Sequence, residues 1–291
     1  MAKIYTPSEF LKEKNLREIP VEFIAKFKAA LSNHLPPQPD DDPESNYEDS
    51  VKALLEDTFY KGKHKIARRK GVNTDLNIFE DNTTLSSPVV LIEMKSPSEK
   101  DEMLSKEDLN RKALHELVLY YLTELLDDDH NNAIRWLIAS NGYDWFIFDE
   151  SLFRELFNNQ RFVREYRKVN PDGPKLNKEK TKAFYAYVAK EIADKGLTDK
   201  MSCIYFSLKG WDTMNARNLS NIYRLLSPYF LLGKRSHDAN DMNDKFYREL
   251  LYIIGLEERS KNDEHLHQIQ RKQPEFVGVI FFLHSWNRKF F

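Results

Sequence analysis

The chain has 291 residues, which suits one large domain or two modest ones, and its 44 Lys and Arg against 46 Asp and Glu give a formal net charge of -2. This balance excludes a globally basic nucleic-acid binder but leaves room for a local basic surface. Apolar residues make up 41% of the chain, so it can bury a sizeable core and is not disordered throughout.

Other features of the composition narrow the class of protein further. The nine glycines form neither a GxGxxG nor a P-loop motif, and the single cysteine, Cys203, cannot form an internal disulfide or a cysteine-based zinc site. The most apolar run, residues 276–283, is far shorter than the roughly 20 residues that cross a bilayer. The N-terminus has no apolar signal segment. We therefore expect a cytoplasmic protein without a membrane partner.

The first part of the chain predicts two helices and a basic segment. Phe23, Phe27 and Leu31 recur at helical spacing, and the proline-rich residues 35–43 end that helix. A second helix is predicted over residues 45–59. It leads into residues 61–70 (KGKHKIARRK), the densest basic run in the protein.

The middle of the chain predicts two pairs of strands separated by a long amphipathic helix. Residues 74–79 alternate apolar and polar positions, whereas residues 88–95 are almost continuously apolar, which is typical of a central strand covered on both faces. The helix is expected over residues 106–126. Strands at 134–139 and 145–148 follow, joined by a tight turn at Asn141 and Gly142.

After residue 151 the sequence becomes mostly charged and helical. One strand is expected at residues 203–208, and the best break in composition is at residues 170–174. The sequence thus predicts an α/β domain over residues 1–168, with a mixed four- to five-stranded sheet, and a mainly helical extension over 169–291. The helices expected in this part cover residues 152–168, 178–195, 219–229 and 245–254.

The candidate site combines Asp75 on one predicted strand with Glu93 and Lys95 on the next. Residues two apart on a strand point to the same face, so Glu93 and Lys95 lie together, and a hairpin can bring Asp75 beside them. Two carboxylates can bind Mg²⁺, and a neighbouring ammonium can polarise the attacking water or offset developing charge. Such a set suits phosphodiester hydrolysis. Alternatively, Glu93 and Lys95 form an ordinary surface pair.

This arrangement resembles the PD-(D/E)XK nuclease superfamily, with Thr74 standing where many members have proline. The resemblance narrows to the N-terminal nuclease region of bacterial type IIG or IIS restriction endonuclease–methyltransferase fusion proteins, and it covers about residues 15–260. The similar segments are 73–77 (NTDLN), 90–97 (VLIEMKSP), 110–122 (NRKALHELVLYYL), 145–149 (WFIFD), 246–251 (FYRELL) and 253–256 (IIGL).

The resemblance implies a restriction-endonuclease-like fold in which Asp75 and Glu93 hold the metal and Lys95 acts on the nucleophilic water. A further acid is expected from the first core helix, where Glu48 and Glu56 are the candidates. Glu48 shares a helical stripe with apolar residues and should face the sheet, so it is preferred as the third catalytic and metal-binding acid. Glu56 is the alternative, with pairing to Lys52 as its ordinary role.

A second set of residues is predicted to contact the DNA backbone. The basic run would lie beside the scissile phosphate, and its contacts would be salt-sensitive and independent of sequence. A solvated charged loop is the alternative interpretation of the run, and helix packing is the alternative for His115. The predicted DNA-binding residues are Lys63, Lys65, Arg68, Arg69, Lys70, Lys112 and His115.

The expected function is therefore a Mg²⁺-dependent DNA endonuclease of a restriction–modification system, with Mn²⁺ able to substitute and double-stranded DNA as substrate. The chain lacks the Asn-Pro-Pro-Tyr motif and glycine-containing cofactor loop of a methyltransferase, so no S-adenosylmethionine site is predicted. We expect a methyltransferase and recognition region on a missing part of the chain or on a separate subunit, and a transient homodimer on DNA. The alternatives are a repair or mobile-element nuclease and a catalytically silent DNA-binding subunit.

Overall fold

Seven strands form one mixed sheet in the computed structural model, which describes residues 2–12, 18–38, 44–68, 74–126, 131–170, 178–233, 256–260 and 267–271. The order across the sheet is β1-β7-β6-β5-β4-β3-β2. Its strands are β1 (Lys3–Tyr5), β2 (Ile66–Ala67), β3 (Leu76–Phe79), β4 (Pro88–Met94), β5 (Trp136–Ser140), β6 (Asp144–Asp149) and β7 (Ser202–Ser207).

The sheet is larger than the four or five strands that the sequence predicts. Strands β2, β3 and β4 are antiparallel, β4 and β5 are parallel, and β5, β6 and β7 are antiparallel again. β1 adds a parallel edge beside β7. The prediction of sheet size was wrong because β1 and β2 have only three and two residues, too short to show a hydrophobic period.

Helices cover both faces of the sheet. Helix α3 continues into a π-helical turn at Glu56–Tyr60, and short 3-10 turns occur at Leu197–Lys200 and Trp211–Thr213. The α-helices are α1 (Pro7–Leu11), α2 (Val21–His34), α3 (Glu44–Leu55), α4 (Lys112–Leu126), α5 (Glu150–Phe157), α6 (Gln160–Val169), α7 (Lys178–Asp194), α8 (Ala216–Leu226) and α9 (Pro228–Leu231).

Two buried clusters lie on opposite faces of the sheet because side chains alternate along each strand. On β4, Val90, Ile92 and Met94 belong to the cluster beneath α2, α3 and α8, whereas Leu91 belongs to the cluster beneath α4 to α7. The strand is buried along its whole length. It is thus the doubly covered central strand that its apolar sequence predicts.

The turn between β5 and β6 requires the glycine that the sequence places there. Gly142 has a φ of +86°, in the left-handed region that favours glycine. A Cβ built on Gly142 would lie 3.1 Å from Cδ1 of Tyr47. This close approach fixes α3 against the turn, next to the end of the sheet that carries the polar residues.

Two compact units divide the chain, residues 1–236 and residues 237–291. The predicted division at residue 168 lies within the first unit, because β7 pairs with β6 and α7 packs against α4. In the second unit the described residues are the antiparallel strands β8 (Leu256–Ser260) and β9 (His267–Arg271). The helix predicted at 245–254 lies outside the described residues. Within the described part of the chain, no helix has both the length and the apolar character of a membrane span.

Candidate active site

The hairpin of β3 and β4 places Asp75 beside Glu93. Leu76 pairs with Ile92, so the antiparallel register continues with Asp75 opposite Glu93, on the face covered by α4. The backbone N–H of Met94 donates to Oδ2 of Asp75 at 2.8 Å, which fixes that carboxylate at the strand end. The two acids that the sequence predicts as metal ligands therefore lie on adjacent strands at one end of the sheet.

Lys95 lies at the centre of a group of acids contributed by three elements. Its Nζ contacts the Glu93 carboxylate, lies 2.8 Å from Oε2 of Glu116 on α4, and lies 3.9 Å from Oε2 of Glu44 at the start of α3. It also donates to the Met94 carbonyl at 2.9 Å. Glu93 and Lys95 are 2% and 3% exposed, so they are not an ordinary surface pair.

Glu48 approaches the site one helical turn after Glu44. It is buried, its carboxylate accepts two hydrogen bonds from the Arg68 guanidinium, and its charge acts on Asp75. Glu56, the alternative, lies eight residues further along, about 12 Å by the rise of a helix. The structure thus brings Glu48 to the site, already paired with an arginine.

Acids outnumber cations in this region. We call Glu44, Glu48, Asp75, Glu93 and Glu116 the acidic cluster; with Lys95 and Arg68 as its cations, five acids against two bases leave a formal charge of -3. Burial raises the pKa of Glu93 well above its ordinary value, and the charges of Glu116 and Asp75 raise it further. Burial also raises the pKa of Asp75, and it raises that of Glu44 to about 7. Proton uptake thus partly offsets the excess negative charge.

Lys95 stays charged despite its burial. Burial by itself would lower its pKa, but the negative charges of Glu93 and Glu116 outweigh that cost and raise the pKa above its ordinary value. The side chain is therefore an ammonium ion at neutral pH. It can donate hydrogen bonds and offset negative charge, but it cannot accept a proton.

The donor set fits a hard cation such as Mg²⁺. Oε2 of Glu93 is buried without a hydrogen-bond partner, although a buried carboxylate oxygen normally has one. Carboxylate oxygens are the ligands that Mg²⁺ prefers, and the ion usually needs one or two of them because it retains several waters. In the described part of the chain, no three His, Cys, Asp or Glu side chains converge as a ready-made site. Asp75 and Glu93 are the residues that would hold such an ion.

The predicted DNA-binding residues of the basic run differ in exposure and in their partners. Lys63 is exposed, Lys65 is half-buried before β2, and Arg68 is the partner of Glu48. Arg69 and Lys70 lie outside the described residues. The structure therefore places one residue of the basic run, Arg68, directly at the acidic cluster.

The two predicted DNA-binding residues of α4 have protein partners. Lys112 donates to Glu102 at 2.6 Å and lies 4.0 Å from Glu116. His115 is buried, and Nε2 of its ring is 2.8 Å from Oδ1 of Asn110. Burial lowers the pKa of His115 to about 4, so the ring is neutral at neutral pH. These contacts favour the packing interpretation of His115.

Sequence reasoning missed Glu44, Glu116 and Tyr185 as residues of this site. Glu116 lies on the buried side of α4, one helical turn before Tyr120, so a charged residue within an apolar stripe was the available signal. Glu44 directly follows the proline-rich segment and had no such signal. Tyr185, on α7, is hydrogen-bonded to Tyr120 and feels the charges of Glu116 and Glu93.

Comparison with known proteins identifies the family but no activity. A family model described as a domain of unknown function, DUF7149, matches residues 5–241. No curated protein and no solved structure matches the chain. The match includes the acidic cluster and the strands and helices that position it. The chain therefore belongs to the DUF7149 family.

Proposed function

We propose that this protein is a Mg²⁺-dependent DNA endonuclease of the PD-(D/E)XK type. The observation that supports the proposal most directly is the buried acidic cluster around Lys95, with Asp75 and Glu93 on adjacent antiparallel strands of a sheet between helices. Burying a charged group without an opposite charge to pair with it costs free energy. Such groups concentrate at functional sites.

Asp75 and Glu93 would hold the metal ion, and Glu48 is the third acid within reach of the site. A bound divalent ion supplies positive charge to the phosphate and lowers the pKa of a coordinated water. The unpartnered oxygen of Glu93 favours cation binding because a cation would satisfy it, and the charge of Glu48, which contributes to the raised pKa of Asp75, would also attract a cation. Mn²⁺ has similar preferences and should substitute.

Lys95 would position and polarise the attacking water rather than remove its proton. Its raised pKa keeps three N–H donors beside Glu93 and Glu116. These donors face Glu93, Glu116 and the Met94 carbonyl, so one of them would exchange its acceptor for the water oxygen. The positive charge would offset the charge that develops on the phosphate.

Double-stranded DNA is the proposed substrate, with Lys63, Lys65 and Arg68 near the backbone and Lys112 at the start of α4. Such contacts carry no sequence information, so sequence choice would come from a recognition region associated with a methyltransferase. We place the protein in a cytoplasmic restriction–modification system of the type II class. Cleavage of both strands would need two such sites, which a transient homodimer on DNA would supply.

Plasmid nicking with Mg²⁺ or Mn²⁺ tests the proposal. We expect Asp75→Ala and Lys95→Ala to reduce nicking by at least about a hundredfold, since each removes a group from the reacting centre. Lys209→Ala is the control, because Lys209 also pairs with an acid, the partly buried Asp144, at 2.6 Å, on the same sheet but away from the acidic cluster. Nicking should survive in that variant.

The outcomes separate the rival functions. Equal nicking by the wild type, Asp75→Ala and Lys95→Ala would refute the nuclease proposal. DNA binding by the wild type without any nicking would favour the catalytically silent DNA-binding subunit. Binding that persists in Asp75→Ala while nicking is lost would support the endonuclease.

A further inference from the structure

A hydrogen-bonded link fixes helix α7 against the beginning of α4. Nδ2 of Asn110 donates to the backbone carbonyl of Ala189 on α7 at 3.0 Å. Oδ1 of Asn110 can only accept, so the neighbouring Nε2 of His115 carries a proton and donates to it at 2.8 Å. The imidazole thereby fixes the orientation of the Asn110 amide. These two bonds add to the apolar packing of α7 on α4.

This link places Tyr185 beside the acidic cluster. Tyr185 lies four residues before Ala189, on the same face of α7, and Tyr120 lies four residues after Glu116, on the same face of α4. The hydroxyls of Tyr120 and Tyr185 are hydrogen-bonded to each other. Tyr120 is 5% exposed, whereas Tyr185 is only partly buried. The pair thus extends from the acidic cluster towards solvent, with Tyr185 on the outer side.

The Tyr185 hydroxyl can donate a hydrogen bond to a ligand at this position. Burial and the charges of Glu116 and Glu93 raise its pKa, so the hydroxyl keeps its proton at neutral pH. A hydroxyl has one hydrogen and two acceptor lone pairs, so the Tyr185 hydroxyl can accept from Tyr120 and use its own hydrogen for a ligand. A neutral donor next to carboxylates suits an anionic group that a cation has brought to the site.

We propose that the Tyr185 hydroxyl donates a hydrogen bond to a phosphate oxygen of the DNA strand bound at the acidic cluster. Helix α7 is then a wall of the active site, although it lies beyond residue 168, and Tyr185 is a substrate-positioning residue. This inference rests on the proposed endonuclease function.

Tyr185→Phe tests the inference because it removes one hydroxyl and keeps the ring. Steady-state nicking with Mg²⁺ should show kcat/KM lower by roughly tenfold to a hundredfold, the usual effect of losing a hydrogen bond to a charged acceptor. Tyr187→Phe is the matched control on the same helix. Its ring packs against Phe162, and the charges that act on its hydroxyl come from Glu191, Glu165, Arg164 and Arg161. We expect its kcat/KM to stay within about twofold of the wild type.

Tyr120→Phe distinguishes substrate contact from a structural role. It removes the hydroxyl that is hydrogen-bonded to Tyr185 but leaves the Tyr185 hydroxyl in place, so kcat/KM should fall by less than in Tyr185→Phe. An equal fall in both variants would show that Tyr185 acts through the hydroxyl pair, and would overturn the inference. A thermal midpoint of Tyr185→Phe within a degree of that of Tyr187→Phe is also expected.

The result for Asp75→Ala separates the two proposals. Loss of nicking in Asp75→Ala together with unchanged kcat/KM in Tyr185→Phe would overturn the role of Tyr185 and leave the endonuclease proposal standing. Nicking at the wild-type rate in Asp75→Ala would overturn both.

Discussion

Two groups of acids and lysines lie on the same sheet, and they differ in burial and in charge balance. In the acidic cluster, Lys95 is shared by Glu93, Glu116 and Glu44. At the β6–β7 pair, Asp144 accepts from Lys209 at 2.6 Å and from the Tyr205 hydroxyl at 2.9 Å. We call Asp144, Tyr205 and Lys209 the balanced cluster, because one acid faces one base there.

The pKa values of the acids follow this difference. Burial would raise the pKa of Asp144, but its bonds from Lys209 and Tyr205 outweigh burial and lower the pKa below its ordinary value. The pKa values of Asp75 and Glu93 are raised instead, because burial and neighbouring acids outweigh their partners. The balanced cluster is thus a satisfied ion pair that stabilises two strands, whereas the acidic cluster lacks positive charge. A paired acid and lysine on the sheet does not by itself indicate function, whereas buried acids that outnumber their cations favour a functional interpretation.

Replacing the lysine of each cluster should give the largest contrast. Lys95→Met leaves several buried acids without their shared cation and should lower the free energy of unfolding by about 3–5 kcal/mol. Lys209 is 45% exposed, so Lys209→Met should cost only about 1 kcal/mol. Urea unfolding of both variants in metal-free buffer measures these values. An equal decrease in the free energy of unfolding in both variants would mean that the two clusters do not differ in charge balance.

Addition of Mg²⁺ should stabilise the protein through the acidic cluster alone. At a concentration a hundredfold above its Kd, a ligand that binds only the folded state adds about 2.7 kcal/mol. We expect the thermal midpoint to rise on titration with Mg²⁺ and to return to its starting value with EDTA. The rise should persist in Asp144→Asn and disappear in Asp75→Ala. A rise of equal size in both variants would place the binding site elsewhere.

The pH dependence of stability should have opposite signs in the two clusters. The pKa of Glu44 is raised to about 7, so the folded state retains a proton that the unfolded state loses near pH 4.5, and stability falls as pH rises across this interval. The pKa of Asp144 is lowered, so its stabilising effect is present above about pH 4 and is lost as pH falls below that value. This is the smallest expected effect.

Unfolding measured from pH 3 to 8 in Glu44→Gln and Asp144→Asn checks both signs. In Glu44→Gln, the free energy of unfolding should fall less between pH 4.5 and pH 7 than it does in the wild type. The stability difference between Asp144→Asn and the wild type should shrink towards pH 3. If the free energy of unfolding varied with pH in the same way in all three proteins, the two clusters would not differ in the sign of their pH dependence.

The site was partly predictable because its first three residues belong to a single hairpin. The apolar run before Met94 and the alternation of apolar and polar residues in β3 determine the face of the sheet on which Asp75, Glu93 and Lys95 lie. Pairing of adjacent strands then brings them together without any knowledge of the remaining fold. Glu48 was chosen over Glu56 by its helical stripe, a second local pattern, and the structure places it beside Asp75.

Residues from other elements could not be predicted in this way. Glu116 and Tyr185 reach the cluster only because α4 crosses above β4 and α7 packs on α4. The long helix also begins at Lys112 rather than near residue 106, since Asp108 accepts bonds from Arg111 and from the backbone of Asn110 in a loop before it. Such loop contacts compete with helical hydrogen bonds and are not visible in hydrophobic spacing.

The sequence by itself determined that this is an α/β protein with a doubly buried central strand and an acid–acid–lysine set at its end, because strand period and burial depend on neighbouring residues. Only the tertiary structure decided that Glu93, Glu116 and Glu44 surround Lys95, that Arg68 neutralises Glu48, and that the short strands β1 and β2 extend the sheet to seven strands. Charge balance is a sum over all groups within a few ångströms, and those groups come from segments far apart in the chain.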